Sequence, residues 1–335
     1  MRIAVIGAGS WGTAVADIVA QKQAVTLWAR RSGLADAINT GHTNPDYLPD
    51  HTLSDRVYAT SDLAECLDTA DAIVMGVPSH GFRSVLELAR GHIAPETPIL
   101  SLAKGVEQGT LMRMTEVTGD VLPGHRHDRI GVLTGPNLAR EIVAGQPAAT
   151  VIAMTDQESA QSLQQAFMNS RFRVYTNDDV IGSESAGALK NVMAIAAGMA
   201  HGLGFGDNTM ATLITRALAE LTRLGIAMGG RPLTFAGLAG MGDLIATCMS
   251  SKSRNHTVGY GLGQGKKLDE IIAEMNQVAE GVKSTPGILA LADRHSIEMP
   301  IATQVARVLY EGASPAEAVS NLMSREAKPE MHGIG

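Results

Sequence analysis

Gly7, Gly9 and Gly12, in the run Gly7-Ala8-Gly9-Ser10-Trp11-Gly12, are spaced to hold the phosphates of a dinucleotide. The first glycine permits a sharp turn, the second lets the backbone approach a pyrophosphate, and the third lets a helix pack closely on the preceding strand. That helix would present free N–H groups and its positive dipole end to the phosphates. Alone, the pattern is weak and a structural glycine turn would explain it, but here an apolar run, Arg2 to Ile6, precedes it and a helix-like segment, Thr13 to Gln21, follows. About twenty positions further on, where an acidic residue often holds the ribose hydroxyls, stands Trp28-Ala29-Arg30-Arg31. Two guanidiniums suit a 2′-phosphate by charge and planar hydrogen bonding, so NADP is expected alongside NAD, with an exposed basic corner as the plainer alternative.

Three further residues carry possible chemistry. Lys190 lies in the middle of a small, apolar, helix-like segment, where an unpaired ammonium is costly to bury, so it needs a reason: a catalytic role, or the plainer one of snorkelling to solvent. Lys104 follows an apolar run, at the carboxyl end of an expected strand, where open α/β sheets place ligands; a surface lysine is the alternative. Asp243 stands in a glycine-rich stretch, where a turn former satisfying local N–H groups is the plain reading.

The elements that must position these groups change texture along the chain. Apolar runs at Val25 to Ala29, Ala72 to Val77, Ile99 to Ala103, Ile130 to Leu133 and Ala149 to Ala153 alternate with helical segments, the rhythm of βαβ units. After Tyr175 the pattern turns helical, near Ala186 to Met199, Met210 to Gly225, Leu268 to Gln277 and Pro286 to Asp293. The fold expected is α/β: a Rossmann-like, mainly parallel sheet in an N-terminal dinucleotide-binding domain, residues 1–180, and a mostly α-helical substrate and catalytic domain, residues 181–335. The boundary falls near Asp178 to Gly182. A chain of 335 residues exceeds what one core usually organises, which agrees with two domains. Gly259, Gly261, Gly263 and Gly265 follow no strand and are expected to form a flexible loop, and His125-Arg126-His127-Asp128 a solvated one.

Composition narrows the function. Aromatic residues make up 4% of the chain against 36 glycines and 16 methionines, so the core must rest on small or flexible side chains and close backbone approach. A net charge of -7 without a long basic run gives no footprint for nucleic acid or anionic membrane. Cys66 and Cys248 fit no metal-ligand spacing and suit a reducing compartment, so no metal is expected. The apolar run at the N-terminus is too short for a signal peptide, and Val192 to Ala200 falls short of the roughly 18 residues a membrane span needs, so a soluble, cytoplasmic protein is expected.

Several segments in order carry a more specific resemblance. They are the glycine run, Asn44-Pro45-Asp46-Tyr47-Leu48-Pro49, Val77-Pro78-Ser79, Lys104-Gly105, Gly135-Pro136, Gly187-Ala188-Leu189-Lys190-Asn191-Val192, Gly237-Leu238-Ala239-Gly240-Met241-Gly242-Asp243-Leu244 and Ser253-Arg254-Asn255. Together they resemble the bacterial-type NAD(P)-dependent glycerol-3-phosphate dehydrogenases, from Gly7 almost to the C-terminus.

The resemblance implies interconversion of dihydroxyacetone phosphate and sn-glycerol 3-phosphate by a homodimer, for phospholipid synthesis. It makes Lys190 the general acid/base, suited to that task if nearby cations and desolvation bring its pKa toward neutrality. Lys104 would reach substrate and nicotinamide, and Asp243 would orient the lysine and the substrate hydroxyl. Ser253, Arg254 and Asn255 would cradle the substrate phosphate, Arg254 as the anion reader, with Gly135, Asn137 and Asn191 also at substrate. Gly7, Gly9, Ser10, Trp11, Gly12, Arg30, Arg31, Lys104, Ala139, Arg254, Val278 and Glu280 would bind cofactor. Two positions depart from the family pattern: Asn137 replaces a small hydroxyl residue, and Gly76 replaces alanine and is expected to loosen packing beside the cofactor. Rival readings are a β-hydroxyacid-type dehydrogenase, whose substrate anion would be a carboxylate, and a non-catalytic NAD(P)H sensor.

Overall fold

Along the first strand, buried side chains divide by parity: Ile3 and Val5 join one hydrophobic cluster while Ala4 and Ile6 join another. Strands alternate side chains between faces, so this split shows a sheet covered on both sides, as parallel sheets require. The computed structural model describes residues 1–275, 279–330 and 333. Its strands are β1 (Arg2–Ile6), β2 (Ala24–Trp28), β3 (Thr43–Asn44), β4 (Leu48–Thr52), β5 (Val57–Thr60), β6 (Ala72–Met75), β7 (Ile99–Ser101), β8 (Ile130–Thr134), β9 (Ala148–Ala153) and β10 (Phe172–Asn177).

Eight of them form one sheet in the order β10-β9-β8-β7-β6-β1-β2-β5. Every neighbouring pair is parallel except β8 and β9, which run antiparallel with Leu133 opposite Ile152. The mainly parallel sheet is therefore as expected, with one reversal. From β1 the chain builds outward through β2 to β5, then returns to the other side of β1 with β6. The carboxyl ends of β1 and β6 thus flank a topological switch point, where open sheets leave a crevice for ligand.

The short strands β3 and β4 pair antiparallel outside the sheet. The sequence does not announce them, because Leu48-Pro49-Asp50-His51-Thr52 lacks an apolar alternation. Arg126 and Asp128 form an ion pair, but His125 is buried, so the expected solvated loop after Gly124 is only partly solvated.

Contacts divide the chain into two compact units: Met1–Glu107 with Met112–Val180, and Gln108–Leu111 with Ile181–Gly335. The second is helical throughout its described elements. Its longest helix, Val180–Gly202, has 23 residues and is buried along nearly its whole length, which explains a sequence of glycine, alanine and serine around few large side chains. The stretch Pro232–Met249 is, among the described residues, the one long and apolar enough to cross a membrane by length and composition. It is broken into the helix Pro232–Phe235, a π turn at Leu238–Gly242 and the helix Asp243–Met249.

The glycine patch is not a flexible loop. Gly259, Gly261 and Gly263 lie in the helix Arg254–Gly263, and only Gly265, at φ +85°, follows it. A Cβ on Gly259 would stand 2.0 Å from the Ile195 carbonyl oxygen, and one on Gly198 would stand 2.1 Å from that of His256. Gly202 and Gly263 meet in the same way one turn further on, so the two helices touch backbone to backbone. Reading these glycines as loop formers missed that helices also use them for close approach.

The segment expected to begin at Pro286 starts earlier, as the helix Glu280–Arg294 with the proline inside. Proline lacks the N–H that would bond the carbonyl four residues back. That carbonyl, on Val282, instead accepts the hydroxyl of Tyr310. The helix Leu268–Glu274 ends before Gln277, which lies outside the described residues.

Glu220, buried in the helix Asp207–Ala227, accepts the N–H groups of Ile301 at 2.8 Å and Ala302 at 3.4 Å. These belong to the first turn of the helix Pro300–Tyr310, which the carboxylate caps. Burial pushes the Glu220 pKa up to about 7, against the opposing pull of those N–H groups and of Arg223 and Arg325. The native state therefore holds a proton that the unfolded chain releases near pH 4.5. The resulting stability is fully present below that pH and is lost as the pH rises through about 7.

Two stability measurements follow. Gly259→Ala is expected to lower the melting temperature, at a cost of about 2 kcal/mol or more from backbone overlap, whereas Gly91→Ala, whose Cβ meets nothing within 4 Å, should be nearly neutral. Glu220→Gln should gain stability relative to the parent between pH 5.5 and pH 8.5, by about 2 kcal/mol. Calorimetry across that range showing a constant difference would contradict the assignment.

Candidate active site

In the first unit, the glycine run occupies the switch point. Gly7 has φ +117°, and a Cβ there would lie 2.8 Å from the Gly76 carbonyl oxygen; one on Gly12 would lie 2.0 Å from the Gly7 carbonyl oxygen. Both positions therefore exclude any side chain. A Cβ on Gly9 would meet nothing within 4 Å, so this glycine borders open space instead. The helix begins at Ser10, earlier than the expected Thr13, with Gly9 as its N-cap and the Thr13 N–H on the Gly9 carbonyl at 2.9 Å. Backbone donors at an open helix N-terminus fit a pyrophosphate.

Gly76 does not loosen this corner. Its N–H donates to the Ile6 carbonyl at 2.8 Å, and a Cβ there would meet the Gly7 carbonyl oxygen at 3.2 Å, so Gly76 tightens the approach of β6 to the turn. Trp11 packs its ring 6.4 Å from that of Phe172, and its indole N–H is buried without a hydrogen-bond partner among the described residues. Arg30 and Arg31 are both exposed. Arg31 pairs with Asp46, whereas Arg30 has no carboxylate partner among the described residues. An exposed pair contributes at most about 1 kcal/mol, so Arg31 is readily redirected to an anionic ligand.

Lys104, Gly135 and Asn137 also lie in this unit. Lys104 Nζ donates to the Gly135 carbonyl at 3.0 Å. Gly135 has φ +141°, and Asn137 donates through Nδ2 to Thr150 Oγ1 at 2.9 Å while its Oδ1 is buried without a partner among the described residues. The amide that replaces a hydroxyl residue thus leaves one acceptor unsatisfied, which favours a donor on a ligand. Ala139 opens a short helix, Ala139–Val143, that packs against the helix Ser10–Ala20.

The second unit gathers Lys190, Asn191, Asp243, Ser253, Arg254, Asn255 and Glu280. Lys190 is 5% exposed and does not snorkel to solvent. Its Nζ lies 2.7 Å from Asp243 Oδ1 and also donates to Thr247 Oγ1. Asp243, 2% exposed, is the first residue of its helix and follows the π turn, where Gly242 N–H reaches back to the Gly237 carbonyl. A buried ammonium is tolerable only with such a carboxylate and further polar contact.

Ser253 N-caps the helix Arg254–Gly263 and accepts the His256 N–H at 3.3 Å; Arg254, its first residue, is exposed. Asn255 is buried and already engaged, donating to Asn191 Oδ1 at 3.0 Å and accepting the Gly281 N–H at 2.9 Å. Through these two bonds Asn255 ties the first turn of the helix beginning at Glu280 to the long helix. Val278 lies outside the described residues. Among the described residues, no group of three or more His, Cys, Asp or Glu is placed to hold a metal.

The family model for the N-terminus of NAD-dependent glycerol-3-phosphate dehydrogenase matches residues 2–160, and the model for the C-terminus of the same enzyme matches residues 179–320. The chain belongs to this family. It is 54% identical to glycerol-3-phosphate dehydrogenase [NAD(P)+] 2 of Sphingopyxis alaskensis, over 99% of each chain. It is also 55% identical to glycerol-3-phosphate dehydrogenase [NAD(P)+] of Streptomyces griseus, over 98% of each. A crystal structure of glycerol-3-phosphate dehydrogenase from Coxiella burnetii superposes with a TM-score of 0.91 at 39% identity, covering 97% of this chain and 99% of that one.

Two residues of this glycerol-3-phosphate dehydrogenase family member were not singled out from the sequence. Thr247 was legible in principle, four residues after Asp243 and so on the same helical face. Gly281 was not, because its need arises only in three dimensions: a Cβ there would stand 2.8 Å from both the Asn191 carbonyl oxygen and Asn255 Oδ1.

Cys248 follows Thr247 and is buried, and burial pushes its thiol up to about 12; the same cause acts on Cys66, also to about 12. Both are free. At pH 8 neither thiol is expected to react with a chromogenic disulfide reagent until the protein is denatured, when both should. Rapid labelling of the native protein would contradict the burial.

Proposed function

We propose that this chain is an NAD(P)-dependent dehydrogenase interconverting dihydroxyacetone phosphate and sn-glycerol 3-phosphate. The observation that carries the reading is the buried pair of Lys190 and Asp243, at 2.7 Å, in a chain whose glycine turn fits a dinucleotide pyrophosphate. A bound nicotinamide supplies or accepts the hydride. Lys190 moves the proton at the substrate's carbinol oxygen, giving it to the carbonyl oxygen in reduction and taking it from the hydroxyl in oxidation. Asp243 and Thr247 hold the Lys190 ammonium in place, which a flexible side chain needs if it is to meet one oxygen repeatedly.

The guanidinium of Arg254 and the N-terminus of its helix read the substrate phosphate, a dianion suited to a planar cation and backbone donors. We assign Asn191 and the Lys104, Gly135 and Asn137 group to substrate as well, and Asn255 to holding Asn191 and Gly281, since both ends of its amide are engaged. Arg30 and Arg31 favour acceptance of NADPH beside NADH. Ser10, Trp11, Ala139 and Glu280 complete the proposed cofactor contacts. In this reading most of the cofactor contacts come from the first unit, and proton transfer and phosphate recognition come from the second. Placement in the cytoplasm is supported by two free, buried thiols. A homodimeric state and a role in supplying glycerol phosphate for phospholipids rest on family likeness.

Absorbance assays should show oxidation of NADPH and NADH with dihydroxyacetone phosphate and little with dihydroxyacetone. Lys190→Ala should lose turnover by roughly 100-fold or more while NADPH still binds. No turnover of the phosphorylated triose by the unaltered protein would sink the reading, and activity on hydroxyacids would replace it with the carboxylate alternative. Cofactor binding without turnover of any substrate would favour a sensor.

A further inference from the structure

Asn44 is fully buried, at 0% exposure, in the short strand β3 rather than in the glycine turn. Its Nδ2 donates to the Ala8 carbonyl at 2.9 Å and to Thr13 Oγ1 at 2.8 Å, and its Oδ1 accepts the Tyr47 N–H at 3.2 Å. The orientation of this amide is forced, because a carbonyl can only accept and a backbone N–H can only donate. Ala8 lies between Gly7 and Gly9, so Asn44 grips the middle of the phosphate-binding run from behind.

The consequence follows from peptide geometry. In the trans peptide joining Ala8 to Gly9, the carbonyl and the N–H point in opposite directions in one plane. Fixing the Ala8 carbonyl inward on Asn44 therefore turns the Gly9 N–H outward. That N–H has no partner among the described residues, and the space beside Gly9 is open. A glycine-flanked peptide unit would otherwise rotate with little steric resistance.

The same segment is secured at a second point. In the helix Ser10–Ala20, Asp17 bonds His51 Nε2 of β4 at 2.8 Å and accepts the Ser54 N–H at 2.7 Å. The segment from Asn44 to Ser54 is thus braced against both the turn and the helix that follows it.

We infer that Asn44 is a positioning residue for the cofactor: it holds the Ala8–Gly9 peptide so that the Gly9 N–H is aimed at the pyrophosphate. This rests on the NAD(P) reading above and adds to it a residue outside the glycine motif. The hydrogen-bonding cost of a mobile donor falls on ligands that carry a pyrophosphate and not on those that lack one.

The test compares Asn44→Ala, Asn44→Asp and Thr13→Ala with the unaltered protein. Asn44→Asp keeps the shape and the acceptor for Tyr47 while removing the donor to Ala8, so it carries the test if Asn44→Ala does not fold. Thr13→Ala removes only the second Asn44 contact. Dissociation constants for NADPH, from nicotinamide fluorescence, and for 2′-AMP, which carries the 2′-phosphate without a pyrophosphate, are measured beside the melting temperature. Both Asn44 variants should weaken NADPH roughly 10-fold or more with 2′-AMP unchanged, and Thr13→Ala should bind NADPH nearly as the parent does. Unchanged NADPH affinity in the Asn44 variants, or NADPH and 2′-AMP weakened alike with a lower melting temperature, would overturn the inference. Failure of the unaltered protein to bind NADPH would overturn the cofactor reading with it, and is told apart because it appears before any substitution is made.

Discussion

Because the helix Val180–Gly202 is buried along nearly its whole length, the ammonium of Lys190 has to be neutralised inside the protein, and the carboxylate of Asp243 does this at 2.7 Å. Much of the second unit follows from that requirement. Asp243 must arrive beside the lysine from a separate segment, and it does so as the opening residue of a short helix after a π turn whose Gly240 leaves no room for a side chain against Phe235. Thr247, one helical turn on, adds a second oxygen to the lysine and bonds back to the Asp243 carbonyl at 2.6 Å. Both groups are buried, so removing either charge would strand the other at a cost of several kcal/mol. Proton chemistry and structural integrity therefore draw on the same contacts.

A second thread runs through both units: the backbone itself is the packing surface. In the first, Gly7, Gly12 and Gly76 bring β1, β6 and the first helix together without side chains between them. In the second, Gly198 and Gly202 meet Gly259 and Gly263. Few aromatic residues are needed to fill a core built this way, which accounts for a composition that looked sparse. Asn44 and Asn255 then act as braces, each a buried amide satisfied at both ends and each joining segments far apart in sequence.

How much of this was legible depended on whether the signal was local. The strands β1, β2, β6, β7, β8 and β9 stood out as apolar runs because both faces of the sheet are covered. Strands β3 and β4 did not, since Pro49, Asp50 and His51 break any alternation. The helices from Pro300 and Pro315 also went unmarked, although each begins with proline in its first turn, a position where the missing N–H costs nothing. Lys190 was visible as a misfit, a cation in an apolar helix, whereas Asp243 among glycines reads as an ordinary turn former and was marked only by the family resemblance. Gly76, Gly281 and the patch from Gly259 to Gly265 were misread or missed because a glycine's reason often sits on another segment, and only the fold brings that segment near.

The glycine-built contacts also limit how the chain can change. Replacing glycine by alanine ordinarily raises stability by narrowing the freedom of the unfolded chain, where the native backbone and its surroundings accept a methyl group. At Gly12, Gly198, Gly240 and Gly259 the space is already taken by a carbonyl oxygen between 2.0 and 2.2 Å away. The disorder these residues contribute to the unfolded state is therefore fixed into the architecture, and adaptation to heat would have to come from elsewhere, such as surface charge networks or the loops between helices.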